Sequence, residues 1–175
     1  MQFVKNIFSI CGSTRKNSTN HRYIEAMKSL LGKGFGYVEL DSLMNIPHFN
    51  PDDDDENVAD AVKNFRQQLS SADGIIISTP EYAMGIPGSL KNAIDWTVSS
   101  SSFSKKPVLL ITASSQGFKA HQALIDVLTV IEADTDGTRI LIPFAKTKID
   151  NENNITDKTT QEELAKAVQI FQSKL

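Results

Sequence analysis

Thr79-Pro80-Glu81-Tyr82-Ala83-Met84-Gly85-Ile86-Pro87-Gly88-Ser89-Leu90-Lys91-Asn92-Ala93-Ile94-Asp95-Trp96 is the stretch that decides the fold. Directly before it, Ile75-Ile76-Ile77 is a short run of β-branched apolar residues, the pattern of a strand buried on both faces. Pro80 cannot donate to a central ladder, so the strand ends there. Gly85 and Gly88 permit turns or close backbone approach. Pro87 suits the first turn of a helix, and Leu90, Ala93 and Ile94 give that helix an apolar face. The order is strand, loop, helix. In open parallel sheets ligands bind at the carboxyl ends of the strands, so this loop is the first candidate for a binding surface.

The same unit recurs on either side. Val4 to Ile10 reads as a first strand, and the polar loop Cys11 to Asn20 leads to a helix marked by Tyr23, Met27, Leu30 and Leu31. Gly32 and Gly34 end that helix. Phe35 to Leu40 reads as a second strand, followed by an irregular stretch from Asp41 to Asn57. Val58, Val62, Phe65 and Leu69 mark the next helix, and Gly74 to Ser78 the third strand. Pro107 to Ala113 is a fourth buried strand, with the polar loop Ser114-Ser115-Gln116-Gly117 behind it. Leu124, Val127, Leu128 and Ile131 line a fourth helix, and Asp134 to Gly137 forms a turn. Arg139 to Phe144 is a fifth strand, weakened by Pro143. Thr160 and Glu163 fit a capping box for a last helix lined by Leu164, Val168, Phe171 and Leu175. Strands alternating with helices predict one α/β domain over residues 1–175. It is a three-layer sandwich with a five-stranded parallel sheet and helices on both faces. Five strands favour the flavodoxin-like order 2-1-3-4-5.

Composition sets limits. Apolar residues are 40% and charged residues 22% of 175, as in a soluble globular protein. A net charge of −3 offers no basic excess for phosphate backbones, so no nucleic-acid partner is expected. No apolar run reaches the length of a membrane span. Met1 to Ile10 lacks a secretory leader pattern, so the expected location is the cytoplasm. A single cysteine, Cys11, excludes an internal disulfide. No metal is expected. The run Asp52 to Asp55 lacks the glycine and spacing of a calcium loop, and reads as a solvated run before a helix. His21, His48 and His121 lack ligand spacing, though His48 sits in a loop that can border the site. Ser99 to Ser104 reads as a flexible connector.

The loop after the first strand opens the first helix, where free N–H groups and the helix dipole favour an anion. Ser13, Ser18 and Thr19 add hydroxyls, Asn20 an amide, and Arg15 a planar cation suited to phosphate. The dinucleotide fingerprint is absent, because Gly12 stands alone, and no Gly-Lys-Ser/Thr follows it. Cys11 and Arg15 stand too close for a cysteine-phosphatase loop, so Cys11 is read as a small core residue. A hydroxyl-rich, glycine-poor loop suits the dianionic phosphate of a mononucleotide.

Gly12-Ser13-x-Arg15-x-x-Ser18-x-Asn20, Pro80-Glu81-Tyr82 and Pro87-Gly88-x-Leu90-Lys91-Asn92-Ala93-Ile94-Asp95-Trp96 together resemble the NADPH-dependent FMN reductase family. That family includes chromate, quinone and azo-dye reductases. Ile46-Pro47-x-Phe49-Asn50-Pro51 resembles its loop after the second strand. The resemblance implies FMN as cofactor and NAD(P)H as co-substrate, with hydride passing to the flavin and on to a quinone, free flavin or other small acceptor. It implies Ser13, Arg15, Ser18, Thr19 and Asn20 around the phosphate. Pro80, Glu81, Tyr82 and Ala83 would run along the ring edge, flanked by Ser114 and Ser115. No catalytic acid or base is implied, and Tyr82 is the side chain expected to touch the ring. Ala83 departs from the family's usual Asn, and Gln116-Gly117-Phe118-Lys119 from its frequent Gly-Gly pair. The family's members are dimers or tetramers, which sets a homodimer or homotetramer as the expectation. Two other readings remain open: an FMN-binding electron carrier without its own nicotinamide reaction, and a non-catalytic domain that keeps the fold.

Overall fold

A computed structural model describes residues 4–175. The first three residues, part of the stretch Met1 to Ile10 read above for a leader, lie outside the described residues. The elements run β1 (Lys5–Cys11), α1 (Thr19–Leu31), β2 (Phe35–Glu39), α2 (Asp60–Ser71), β3 (Gly74–Thr79), α3 (Gly88–Asp95), β4 (Val108–Ala113), α4 (Phe118–Val130), β5 (Arg139–Ile142) and α5 (Lys158–Ser173). The sheet order is β2-β1-β3-β4-β5, as the strand count predicts, and every pairing is parallel, as the alternation of strands and helices predicts.

Alternation along the strands builds two cores. Phe8, Ile10, Ile75, Ile77 and Leu110 point to one face, where Val62, Phe65 and Leu69 of α2, Leu90 and Ile94 of α3, and Leu124 and Leu128 of α4 cover them. Ile7, Ile76, Leu109 and Ile111 point to the other, under Tyr23 and Met27 of α1 and Leu164, Val168 and Phe171 of α5. Every residue of β3 and β4 is buried, which is why both read as continuous apolar runs.

The end of α3 clamps the loop after β2. Asn92 accepts the Phe49 N–H at 2.7 Å and donates to the Pro47 carbonyl at 2.9 Å. Trp96 is buried, donates from Nε1 to the same carbonyl at 2.8 Å, and meets Phe49 edge-on at 5.0 Å. Thus Asn92 and Trp96 fix a loop, and Trp96 packs inward.

Three local expectations change. α5 begins earlier than the Thr160–Glu163 box suggests: Asp157 is its N-cap and accepts the Thr160 N–H at 2.9 Å, while Thr160 itself is buried. β5 stops at Ile142, before Pro143. The Ser99–Ser104 segment is hydrogen-bonded and anchored by buried Phe103. Ser99 donates to Asp54 at 2.7 Å, and Arg66 holds Asp54 at 2.7 Å, the Trp96 carbonyl at 2.6 Å and Ser99 at 3.0 Å. The acidic run is therefore tied down through Asp54. Burial pushes the Asp54 carboxyl up, but hydrogen bonds from Ser99 and Arg66 outweigh it and hold it below the usual carboxylate range.

Candidate functional site

At the carboxyl edge of the sheet, four loops enclose a cleft of about 420 Å3, within the range of small-molecule sites. Ser13, Arg15, Ser18, Thr19 and Asn20 line it from the first loop, Pro80, Glu81 and Tyr82 from the loop after β3, and Ala113, Ser114 and Ser115 from the end of β4. Phe144, Ala145, Lys146 and Thr147, after β5, complete it.

The first loop lies directly on β3. The Gly12 N–H donates to the Ser78 carbonyl at 2.8 Å, and a Cβ on Gly12 would stand 2.6 Å from the Thr79 Cβ. Only glycine allows that approach. Ser18 caps α1, its hydroxyl accepting the Asn20 N–H at 3.2 Å. Ser13 Oγ accepts the Arg15 N–H at 3.4 Å and lies 3.3 Å from the Tyr82 hydroxyl, which links the first loop to the second. Thr19 Oγ1 accepts from Arg22 at 3.4 Å. Asn20 is buried, and its side chain is used inside the fold. It donates to the Ala113 carbonyl at 3.2 Å and accepts from the Ser78 hydroxyl at 2.9 Å, bracing α1 against β3 and β4. Cys11 turns its thiol to the Ser13 carbonyl at 3.6 Å, and burial pushes that thiol up to about 11. It is a neutral residue of the buried core, as the sequence reading expects, and no thiolate nucleophile.

The second loop makes a tight turn, with Tyr82 and Gly85 exchanging hydrogen bonds of 3.1 and 2.9 Å. Ala83 and Met84 take φ of 47° and 60°, the left-handed pair of a type I′ turn. Asn suits that conformation better than Ala does. Ala83 is exposed and does not line the cleft, so it stands apart from the ring-edge residues with which the sequence grouped it. The Glu81 carboxylate turns to α4, accepting the N–H groups of Lys119 and Ala120 at 2.9 Å each. The Glu81 N–H donates to Ser114 Oγ at 3.2 Å. α4 has Gly117 at its N-cap position and no side-chain cap of its own, so Glu81 supplies one from another loop.

The guanidinium of Arg15 and the ammonium of Lys146 are exposed, and neither has a hydrogen-bond or ion-pair partner among the described residues. The carboxylate that lines the cleft, Glu81, is engaged elsewhere. The cleft therefore favours an anion.

A profile of the NADPH-dependent FMN reductase family matches residues 6–145. The chain belongs to this family. An NAD(P)H-dependent FMN reductase of Pseudomonas aeruginosa is 29% identical over 172 residues, covering 95% of this chain and 92% of that protein. A quinone reductase of Escherichia coli is 31% identical over 133 residues, covering 73% and 71%. FerB of Paracoccus denitrificans, a flavoenzyme NAD(P)H:(acceptor) oxidoreductase, shares the fold with a TM-score of 0.78 at 24% identity, covering 96% of this chain and 95% of that one. Membership bears out the expected enzyme class, a flavin-dependent reductase with FMN as cofactor and a reduced nicotinamide as co-substrate.

The cleft fits FMN. The loop before α1 brings hydroxyls and the unpaired Arg15, a donor set suited to a phosphate dianion, and the loops after β3 and β4 bring Pro80, Tyr82, Ser114 and Ser115. His48 lies outside it, in a separate hollow beside Trp96, and His21 is bonded to Glu39 at 2.8 Å. The fourth wall, Phe144 to Thr147, is absent from the sequence-based list. The strand-end rule that picks out the other three loops applies to β5 equally, but the pattern 139–144 extends the strand two residues past its true end at Ile142 and so over the start of this loop.

Proposed function

We propose that this protein is an NAD(P)H-dependent oxidoreductase that uses FMN in the four-loop cleft to reduce a small acceptor of quinone type. The observation that carries this reading is a single cleft in which the hydroxyls of the first loop and the unpaired Arg15 stand with Pro80, Tyr82, Ser114 and Ser115, the first two loops being joined by the Ser13–Tyr82 contact. When bound, FMN supplies hydride acceptance and the passage of electrons to a second substrate. The chain binds and orients. Arg15 and the hydroxyls of Ser13, Ser18 and Thr19 hold the phosphate, with Asn20 as the brace behind them. Pro80, Tyr82, Ser114 and Ser115 flank the ring, and the Glu81–α4 bond fixes the spacing between their two loops. The proton that accompanies hydride reduction of a quinone would come from water, so no side chain is given a proton-transfer role. The protein works as a homodimer or homotetramer in the cytoplasm. No helix of the described residues is long and apolar enough to cross a membrane.

Two measurements test the reading. Rapid mixing of the FMN-loaded protein with NADPH, without oxygen, bleaches the flavin absorbance; no bleaching over seconds leaves an electron carrier. Arg15→Ala loses one charge-assisted contact of about 1.5–3 kcal/mol and weakens FMN binding roughly ten- to hundredfold. Unchanged affinity places the phosphate elsewhere.

A further inference from the structure

The geometry points to Phe144 as a ring-binding residue, a wall of the cleft against which a planar aromatic ring rests. This assignment builds on the FMN reading of the cleft. Phe144 lines the cleft and is 67% exposed, so its ring contributes little to either core. Its backbone has φ 54° and ψ 33°, a left-handed conformation that a bulky side chain adopts at a cost. The turn is held in place from both sides. The Phe144 N–H donates to the Ser115 carbonyl at 3.1 Å and the Ala145 N–H to the Ser114 carbonyl at 3.0 Å. The Phe144 carbonyl accepts from the Thr147 N–H at 3.0 Å and from its hydroxyl at 2.8 Å. Buried Tyr23 donates to the Ala145 carbonyl at 3.0 Å.

At Phe144 and Ala145 every one of those bonds uses a backbone N–H or carbonyl, and Gly or Asn at position 144 would satisfy them with less strain. The fold thus gains little from an aromatic side chain at this position, whereas the cleft gains an apolar plane. Because the turn is bonded to Ser114 and Ser115, that plane stands beside these two residues in the lining of the cleft. Two rings have this chemistry, the isoalloxazine of FMN and the ring of a second substrate such as a quinone. A stacking contact of this kind is worth about two- to tenfold in affinity.

The test compares the wild type with Phe144→Asn and Phe144→Tyr. Thermal unfolding of the FMN-free protein is followed by FMN titration through flavin fluorescence quenching. Steady-state KM is then measured for benzoquinone and for ferricyanide, an acceptor without an aromatic ring. Phe144→Asn is expected to melt at a higher temperature than the wild type, because the left-handed backbone is relieved. It is also expected to raise either the FMN Kd or the benzoquinone KM about two- to tenfold. A raised FMN Kd identifies the isoalloxazine as the ring. A raised benzoquinone KM with unchanged FMN Kd and ferricyanide KM identifies the acceptor. Phe144→Tyr keeps wild-type values in both. A lowered melting temperature in Phe144→Asn would show that the ring packs for the fold, and would overturn the assignment. Unchanged FMN Kd and benzoquinone KM would overturn it as well. A wild type that binds no FMN overturns the cleft assignment together with Phe144, whereas a binding wild type with indifferent variants overturns Phe144 alone.

Discussion

Replacing Glu81 separates a ring contact from a structural brace. One carboxylate oxygen takes two N–H groups, of Lys119 and Ala120, at 2.9 Å each. Those are first-turn donors of the 13-residue helix α4, which has no side-chain cap of its own. Losing a cap costs about 0.5–2 kcal/mol, and losing an anion at a helix N-terminus about 0.3–1 kcal/mol more. Glu81→Ala should therefore lower stability by about 1–3 kcal/mol. In a domain of this size that is a fall of about 2–12 °C in Tm. Glu81→Gln keeps an acceptor and loses the charge, so its loss is only about 0.3–1 kcal/mol. FMN affinity should fall less than for Arg15→Ala, because the bond from the Glu81 N–H to Ser114 Oγ survives. Calorimetry of the FMN-free protein and flavin titration give both readouts. An unchanged Tm with collapsed FMN affinity would refute the reasoning and make Glu81 a direct ring ligand.

Ala83→Asn relaxes one left-handed residue of the type I′ turn and should add about 1 kcal/mol in urea unfolding, with Ala83→Val moving the other way. Asn20→Ala leaves the buried Ser78 hydroxyl and Ala113 carbonyl without their partner, at about 1–3 kcal/mol for each unmet group; it should weaken FMN binding only through the loosened α1 start. The folded Asp54 carboxyl titrates below its unfolded value of about 3.9, so its contribution is complete above that pH and is lost as pH falls through the folded value. Asp54→Asn should flatten this part of the acid limb of a stability-against-pH curve.

The sheet was legible because β3 and β4 are buried from end to end and carry the apolar runs 75–77 and 108–111. Their carboxyl ends then located two loops of the cleft, and the hydroxyl-rich opening of α1 a third. What remained hidden depends on partners distant in sequence. Asn20 and Glu81 have the right chemistry for a ligand, but the strand ends and α4 claim their polar atoms. The spacing Thr160-x-x-Glu163 competes with Asp157-x-x-Thr160, and burial of Thr160 decides between them. The end of β5 is weakly marked, because Pro143 lies inside the apparent run 139–144, and this hides the fourth wall at Phe144.

Crystals soaked with FMN give the most direct test of the central claim, that one cleft at the carboxyl edge of the sheet holds the whole cofactor. The account predicts the phosphate against Arg15, Ser13 and Ser18, and the ring between Pro80–Tyr82 and Ser114–Ser115. FMN seated elsewhere on the molecule, with this cleft empty, would contradict it.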